Sequence, residues 1–371
     1  MTVSKTFFMK HILILLLAVT VLHVKAQQVP FFVGTYTDRG SQGIYMYMFD
    51  EKTGAAELYT STVTDNPSFL AKSADAKMLY AVNEMGDQTA ALSAFTFDGD
   101  NLSFVNTIPT GGSYPCHVAL SPKDPIAVVS NYGGGSATVY KLTEEGELDA
   151  VLQHIEHTGT GPNKARQEAS HIHSAFFSPD GKHVYLQDLG SDRIFIYVVK
   201  KDHGQIKLVE EAVITTPAAG GPRHIAFDKK GKNLYVLLEM SAEVVHYVKQ
   251  GAQWELLTVS SINADDFKGE NGAAEIKISE DGKFLYASNR GDANSIALFA
   301  IEKSGELHKL QVYDTKGKGP RNFTLSPDGK FLLVANQVSN TIVVFQRDPA
   351  TGALTETAHE IAVSSPVCIV F

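Results

Sequence analysis

Short runs in which apolar and polar residues alternate fill the chain from about residue 30 onward, and stretches with a helical period are almost absent. The runs form a repeating pattern. A turn followed by an apolar strand recurs as SADAKMLYAVNE from Ser73, SPKDPIAVVSNY from Ser121, SPDGKHVYLQDL from Ser178, DKKGKNLYVLLE from Asp228, SEDGKFLYASNR from Ser279 and SPDGKFLLVANQ from Ser326, with starts roughly 47 to 57 residues apart. Each is preceded by a short strand such as HVAL, EIKI or NFTL. Each is followed by a second alternating run such as SIALFAIE or TIVVFQRD, a turn such as KSGEL or ATGAL, and a further short strand.

Four short strands per unit at this period predict a β-propeller, in which every sheet buries its faces against its neighbours. The glycine-pair and Trp-Asp signatures of kelch and WD40 units are absent, and Trp254 is the single tryptophan. Six units are complete. The segment FFVGTYTDRGSQGIYMYMFDEKTGAAELYTSTV near the start reads as a unit lacking its first strand, and the terminal SPVCIVF reads as that strand. Joined, they make a seventh blade and protect the sheet edges. The expectation is therefore an all-β, seven-bladed propeller of four antiparallel strands per blade, one domain over residues 27–371.

Residues 1–26 stand apart. Lys5 and Lys10 precede an apolar run from Ile12 to Leu22, and a small residue follows at Ala26. This reads as an export signal cleaved near Ala26–Gln27, with a periplasmic destination and no membrane association afterwards. The apolar run is shorter than the roughly 20 residues a membrane-spanning helix needs. Losing that segment removes three lysines and takes the formal charge from -9 to -12. So acidic a surface speaks against nucleic-acid binding. Cys116 and Cys368 fall in non-adjacent units and are expected to stay unbridged.

Within a blade, the loop entering the first strand and the loop leaving the second lie on the same face of the disc. Aligning the repeats shows what each loop carries to the mouth of the central channel. At the end of the second strand one column reads Thr35, Asn83, Asn131, Asp188, Leu238, Asn289, Asn336, mostly turn formers. The next reads Tyr36, Glu84, Tyr132, Leu189, Glu239, Arg290, Gln337, and is as mixed as a site would be. At the entry to the first strand one column reads Ser68, Cys116, His173, Arg223, Ala274, Arg321, and its neighbour reads Phe69, His117, Ser174, His224, Glu275, Asn322. Histidine, arginine and glutamate are seldom buried unpaired. Their collection on one face, with His171 two residues before His173, predicts a binding mouth. Arginines in a mouth on an acidic protein point to a small anionic molecule held by forked hydrogen bonds. The glycine run Gly133–Gly135 lacks the lysine and helix of a phosphate loop, and His171-x-His173 has no evident third ligand, so neither a cofactor nor a metal is expected.

The stretches GPNKARQEASHIHSAFFSPDGKHVY, GGPRHIAF, EIKISEDGKFLYASNRGDANSIALF and GPRNFTLSPDGKFLLVANQVSNTIVVFQRD resemble the seven-bladed propeller lactonases. That family takes in cycloisomerase-type 6-phosphogluconolactonases and the carboxy-muconate lactonising enzyme. The resemblance implies a site at the mouth built from a histidine, a glutamate and several arginines. Carried over by motif, these are His171 in SHIH, Arg223 in GPRH, Glu239 in LLEM, Arg290 in SNRG and Arg321 in GPRN; Arg166–Gln167 and Glu275 also fall in family motifs.

The activity expected from this is hydrolysis of a sugar-type lactone by a monomer or dimer. His171 or Glu239 would act as general base, with Arg223 and Arg290 at the developing oxyanion. Arg321 and Arg166 would hold the anionic group, and Gln167, His173, His224, Glu275 and Asn336 would support binding. A muconate-type cycloisomerase and a non-catalytic ligand-binding propeller remain as alternatives. The export segment separates the protein from cytosolic sugar phosphates, so the natural lactone stays open.

Overall fold

The computed structural model describes residues 28–371, and the export segment expected over 1–26 lies outside them. Seven four-stranded antiparallel sheets follow one another around a ring. In the blade that closes it, the C-terminal strand Pro366–Val370 is innermost and pairs with Gln28–Thr35, which continues into Gly43–Asp50 and Ala56–Val63. One strand from the end and three from the start complete this blade, as the repeats predict. The other six innermost strands are Leu70–Lys72, Pro115–Leu120, Ile172–Phe177, Pro222–Phe227, Ala273–Ile278 and Pro320–Leu325.

Alternation along the strands explains where the core lies. Successive side chains of a strand point to opposite faces, so each blade contributes to two different interfaces. Phe31 packs with Phe331 and Leu333 of the preceding blade, while its neighbour Phe32 packs with Leu70, Leu79 and Phe95 of the next. The result is seven apolar clusters, one between each adjacent pair of blades. Outermost strands such as Ala56–Val63 are mostly exposed with a few half-buried positions, since one of their faces meets solvent.

Polar bonds fix the blades at their rims. In each SPDG-type turn the serine hydroxyl bridges the aspartate and the following strand: Ser178 Oγ donates to Asp180 at 2.7 Å and accepts from the His183 amide at 3.0 Å. The turn then needs a left-handed residue, supplied by Gly181 at φ 66°. Buried tyrosines bolt neighbouring blades: the hydroxyls of Tyr235 and Tyr286 each donate to a glycine carbonyl of the next blade, Gly305 and Gly352, at 2.6 Å. Cys116 and Cys368 are both buried and unbridged.

Candidate active site at the channel mouth

Where an innermost strand begins, its pairing with the second strand slips by a residue. The slips fall between Pro115 and His117, Ile172 and Ser174, Pro222 and His224, Ala273 and Ile276, and Pro320 and Asn322. A β-bulge leaves one residue unpaired and re-aims its side chain. Here the unpaired residues include Cys116, His173, Arg223 and Arg321, which form a first layer at the mouth. The residues that follow, among them His117, His224, Glu275 and Asn322, form a second layer further down the channel.

The mouth holds a cavity of about 470 Å³. The bulges contribute Cys116, His173 and Arg321, and the ends of the second strands contribute Tyr36, Glu84, Tyr132, Glu239 and Arg290. Arg166 reaches it from the long loop between the third and fourth blades, and Asn271 and Gly272 from the loop ahead of Ala273.

Glu239 is the hub. Its Oε1 accepts from Arg166 Nη2 at 2.7 Å, and its Oε2 meets Arg223 Nε at 2.9 Å and Arg290 Nη2 at 3.1 Å. Burial pushes its carboxyl up, but Arg290, Arg223 and Arg166 outweigh that and hold it down at about 2. Arg223 is only 2% exposed and lies beneath the hub. Burial and the nearby Arg290 and Arg321 lower its guanidinium to about 9, so it remains charged at neutral pH. Arg290 is fixed by donating from Nε to the Gly272 carbonyl at 2.8 Å.

On the opposite wall Arg321 Nη2 donates to the Tyr36 hydroxyl at 3.0 Å, and that hydroxyl donates to Glu84 at 2.8 Å. Among the described residues, Arg321 has no carboxylate partner. Four arginines against Glu84 and Glu239 leave the mouth net positive on an acidic protein.

His173 presents a neutral imidazole at this mouth. Burial first, then Arg223, His224, Arg321 and Arg290, push its pKa well below the ordinary imidazole value. Its Nδ1 is buried without a hydrogen-bond partner, and no protein group among the described residues engages Nε2.

Residues 30–371 match the family described as the lactonase, 7-bladed beta-propeller. The chain belongs to this propeller lactonase family. It is 38% identical over 342 residues to the 6-phosphogluconolactonase of Formosa agariphila, spanning 90% of this chain and 96% of that one. It is 34% identical over 346 residues to the 6-phosphogluconolactonase of Bacillus subtilis, spanning 92% and 97%. The solved periplasmic gluconolactonase of Pseudomonas aeruginosa superposes with a TM-score of 0.88 at 32% identity, over 92% of this chain and 98% of that one.

Against this lactonase frame, the residues singled out from sequence sort by depth. Arg166, His173, Glu239, Arg290 and Arg321 line the cavity, and Arg223 supports it from below. His171 does not line it. Its ring stacks on Tyr132 with centroids 4.5 Å apart, and its nitrogens face the Tyr132 carbonyl at 3.0 Å and Glu168 at 3.2 Å. The bulge at His173 turns that side chain inward while His171 sits on the loop before the strand, so the residue that meets the cavity is His173 and not the expected catalytic candidate His171.

His224 and Glu275 also differ from expectation, lying one layer down. His224 Nδ1 and Glu275 Oε1 are 3.0 Å apart, and Asn322 donates to the other oxygen at 2.5 Å. Arg223 Nη1 lies 3.4 Å from His224 Nε2, so the imidazole keeps its hydrogen on Nδ1. Gln167 and Asn336 are wholly buried and bond to the backbone, Gln167 to the Leu189 carbonyl at 2.9 Å and Asn336 to that of Thr315 at 3.1 Å. Gln167 folds the loop that presents Arg166, and Asn336 ties a turn. Neither lines the cavity.

Tyr36, Glu84, Tyr132 and Cys116 were not among the candidates, although their columns carried the signal of mixed residue types. Asn271 and Gly272 lie on a loop outside both columns, and no sequence feature marked them.

Proposed function

We propose that the protein hydrolyses a sugar-type lactone at the channel mouth, with His173 as general base. Support comes from the family, from relatives bearing 6-phosphogluconolactonase and gluconolactonase names, and from one observation above the rest: His173 is a neutral imidazole at a cavity whose other polar side chains are already engaged.

In this reading His173 takes a proton from a water that attacks the ester carbonyl. Arg290, held in place by Glu239 and Gly272, donates to the oxygen that becomes negative, an interaction worth about 3 kcal/mol in comparable oxyanion sites. The ring C–O bond then breaks, the leaving alkoxide recovers the proton from His173, and a hydroxy acid departs. Arg321 holds the substrate's anionic group, and Glu84 and Tyr132 accept or donate to sugar hydroxyls. An anion at Arg321 also offsets part of the positive field that depresses His173, so the base strengthens once substrate is seated. Glu239, held at about 2, is too weak a base for this step and organises the arginines instead. Cleavage near Ala26–Gln27 would deliver the enzyme to the periplasm, where an unphosphorylated or carboxylated sugar lactone is the more accessible substrate.

Acid release from glucono-δ-lactone, with and without a 6-phosphate, tests the reading on purified protein. Wild type should turn over at least one of them, His173→Asn should lose about 100-fold or more in kcat, and His171→Asn should lose far less. Inactive wild type on every sugar lactone sinks the hydrolase reading, and a fully active His173→Asn sinks the choice of base.

A further inference from the structure

Below the mouth, the second layer plugs the channel. His117 packs on Phe69 at 4.2 Å and Phe176 at 4.8 Å between ring centroids, and the His224–Glu275–Asn322 set continues to the Ile369 amide, which donates to Asn322 at 2.9 Å. A void of about 10 Å³ beside Arg223 and His224 has room for about one water.

On the other side of the plug the channel opens again into a cavity of about 540 Å³. Two residues further along five of the seven innermost strands, the same inward-facing rows supply its walls: Ala71, Ala119, Phe176, Lys277 and Val370. Phe69 and Phe177 add aromatic surface. Among the described residues, the ionisable groups at this cavity are Lys72, Lys277, His117 and the Cys368 thiol, and no aspartate or glutamate lines it. That is unexpected on a chain with 41 acidic residues against 32 basic ones.

Among the described residues, neither lysine is in an ion pair. Lys72 is half-buried, and its partial loss of water lowers its pKa. His117 is held neutral, its pKa pushed well down by burial and by His224, so it adds a hydrogen-bonding ring without charge. Glu275 already acts on Lys277 from the layer above, whereas a ligand carboxylate would supply Lys72 with a counter-charge, and charge-assisted bonds of that kind are among the stronger ones. Inorganic phosphate would leave the three phenylalanines unfilled.

We propose that this cavity is a second ligand site, for a small amphipathic monocarboxylate whose aryl or branched alkyl end packs on Phe69, Phe176 and Phe177 while Lys72 or Lys277 takes the carboxylate. The site is separate from the lactonase mouth and stands or falls independently of it.

Titration of the purified protein with 4-phenylbutyrate, followed by calorimetry, tests this, with 4-phenyl-1-butanol and inorganic phosphate as controls for the charge and the apolar end. Saturable binding of 4-phenylbutyrate is expected, at least about tenfold tighter than either control. It should weaken about tenfold or more in Lys72→Glu/Lys277→Glu and be unchanged in Arg321→Ala. If the double variant folds poorly, Lys72→Gln/Lys277→Gln, matched to wild type in melting temperature, replaces it. Absence of saturable binding, equal binding by the lysine variants, or loss of binding in Arg321→Ala overturns the proposal.

Discussion

Arg321 donates to the Tyr36 hydroxyl at 3.0 Å, and that phenol is what a cation this deep in the mouth has in place of a carboxylate. Burial and the adjacent Glu84 raise the phenol's pKa, so it stays a neutral donor and acceptor at any physiological pH. The guanidinium keeps its charge available. Arg321→Ala should therefore raise KM for an anionic lactone about tenfold to 100-fold, as expected for losing a charged hydrogen bond, and leave a neutral lactone much less affected. Steady-state kinetics on the paired substrates reads the difference.

Glu239 binds three arginines, and removing it would leave them close together with no counter-charge. Glu239→Gln should cost about 3–5 kcal/mol of stability, the usual result of breaking a buried ion pair from one side. Added sulfate should restore part of the lost melting temperature by occupying the vacated field. Thermal unfolding with and without sulfate measures both effects.

The buried second layer makes the protein acid-sensitive in a defined window. His224, with its pKa lowered to about 4 by burial despite Glu275, is neutral in the fold. An unfolded histidine titrates near 6.5. The unfolded chain therefore takes up the proton first, and stability complete above pH 6.5 is lost as pH falls toward 4. Glu275, held at about 2 by His224 and Lys277 against the effect of burial, loses its contribution from about 4.5 downward. Both act in the same direction. By pH 4 the histidine alone should remove about 3 kcal/mol. Melting curves between pH 7 and 4 should show the fall, and His224→Gln/Glu275→Gln should reduce it while the equally buried His117 and His173 keep part of it.

Gly190 lets the loop that carries Arg166 approach its own blade. A Cβ there would stand 1.8 Å from the Ala169 carbonyl oxygen, in a segment pinned by Asp188 to Ser170, His171 and Ser191. Gly190→Ala should displace the loop and with it Arg166, lowering kcat/KM by about tenfold or more while the rest of the propeller melts normally. Activity and thermal unfolding on the same preparation separate the two.

The blade count and the closing strand were legible because turn chemistry and alternation recur at each unit, and Ser178, Ser279 and Ser326 make the same bonds in the structure. The mouth was legible as two columns, since loops at one end of a blade must ring the channel. What the columns could not convey was depth. A one-residue bulge turns His173 inward, leaves His171 on the loop, and sends the next position, His224 and Glu275, to the layer beneath. Nothing in the spacing of SHIH or GPRH separates a bulged pair from a regular one. Asn336 looked like Arg290's neighbours in the alignment, but an amide satisfied by the Thr315 carbonyl has no reason to reach further.

The pairing of Gly34 with Cys368 also dictates an order of events. Six blades can assemble from sequence-local hairpins, whereas the remaining one needs Pro366–Val370, more than 300 residues away from its partner strand. Without it Phe32 and Leu70 lack their neighbour Cys368, and Phe31 and Phe331 lack Ile369. A ring lacking Pro366–Val370 is open beside Gln28–Thr35, so damage to that strand would be felt at the opposite end of the sequence.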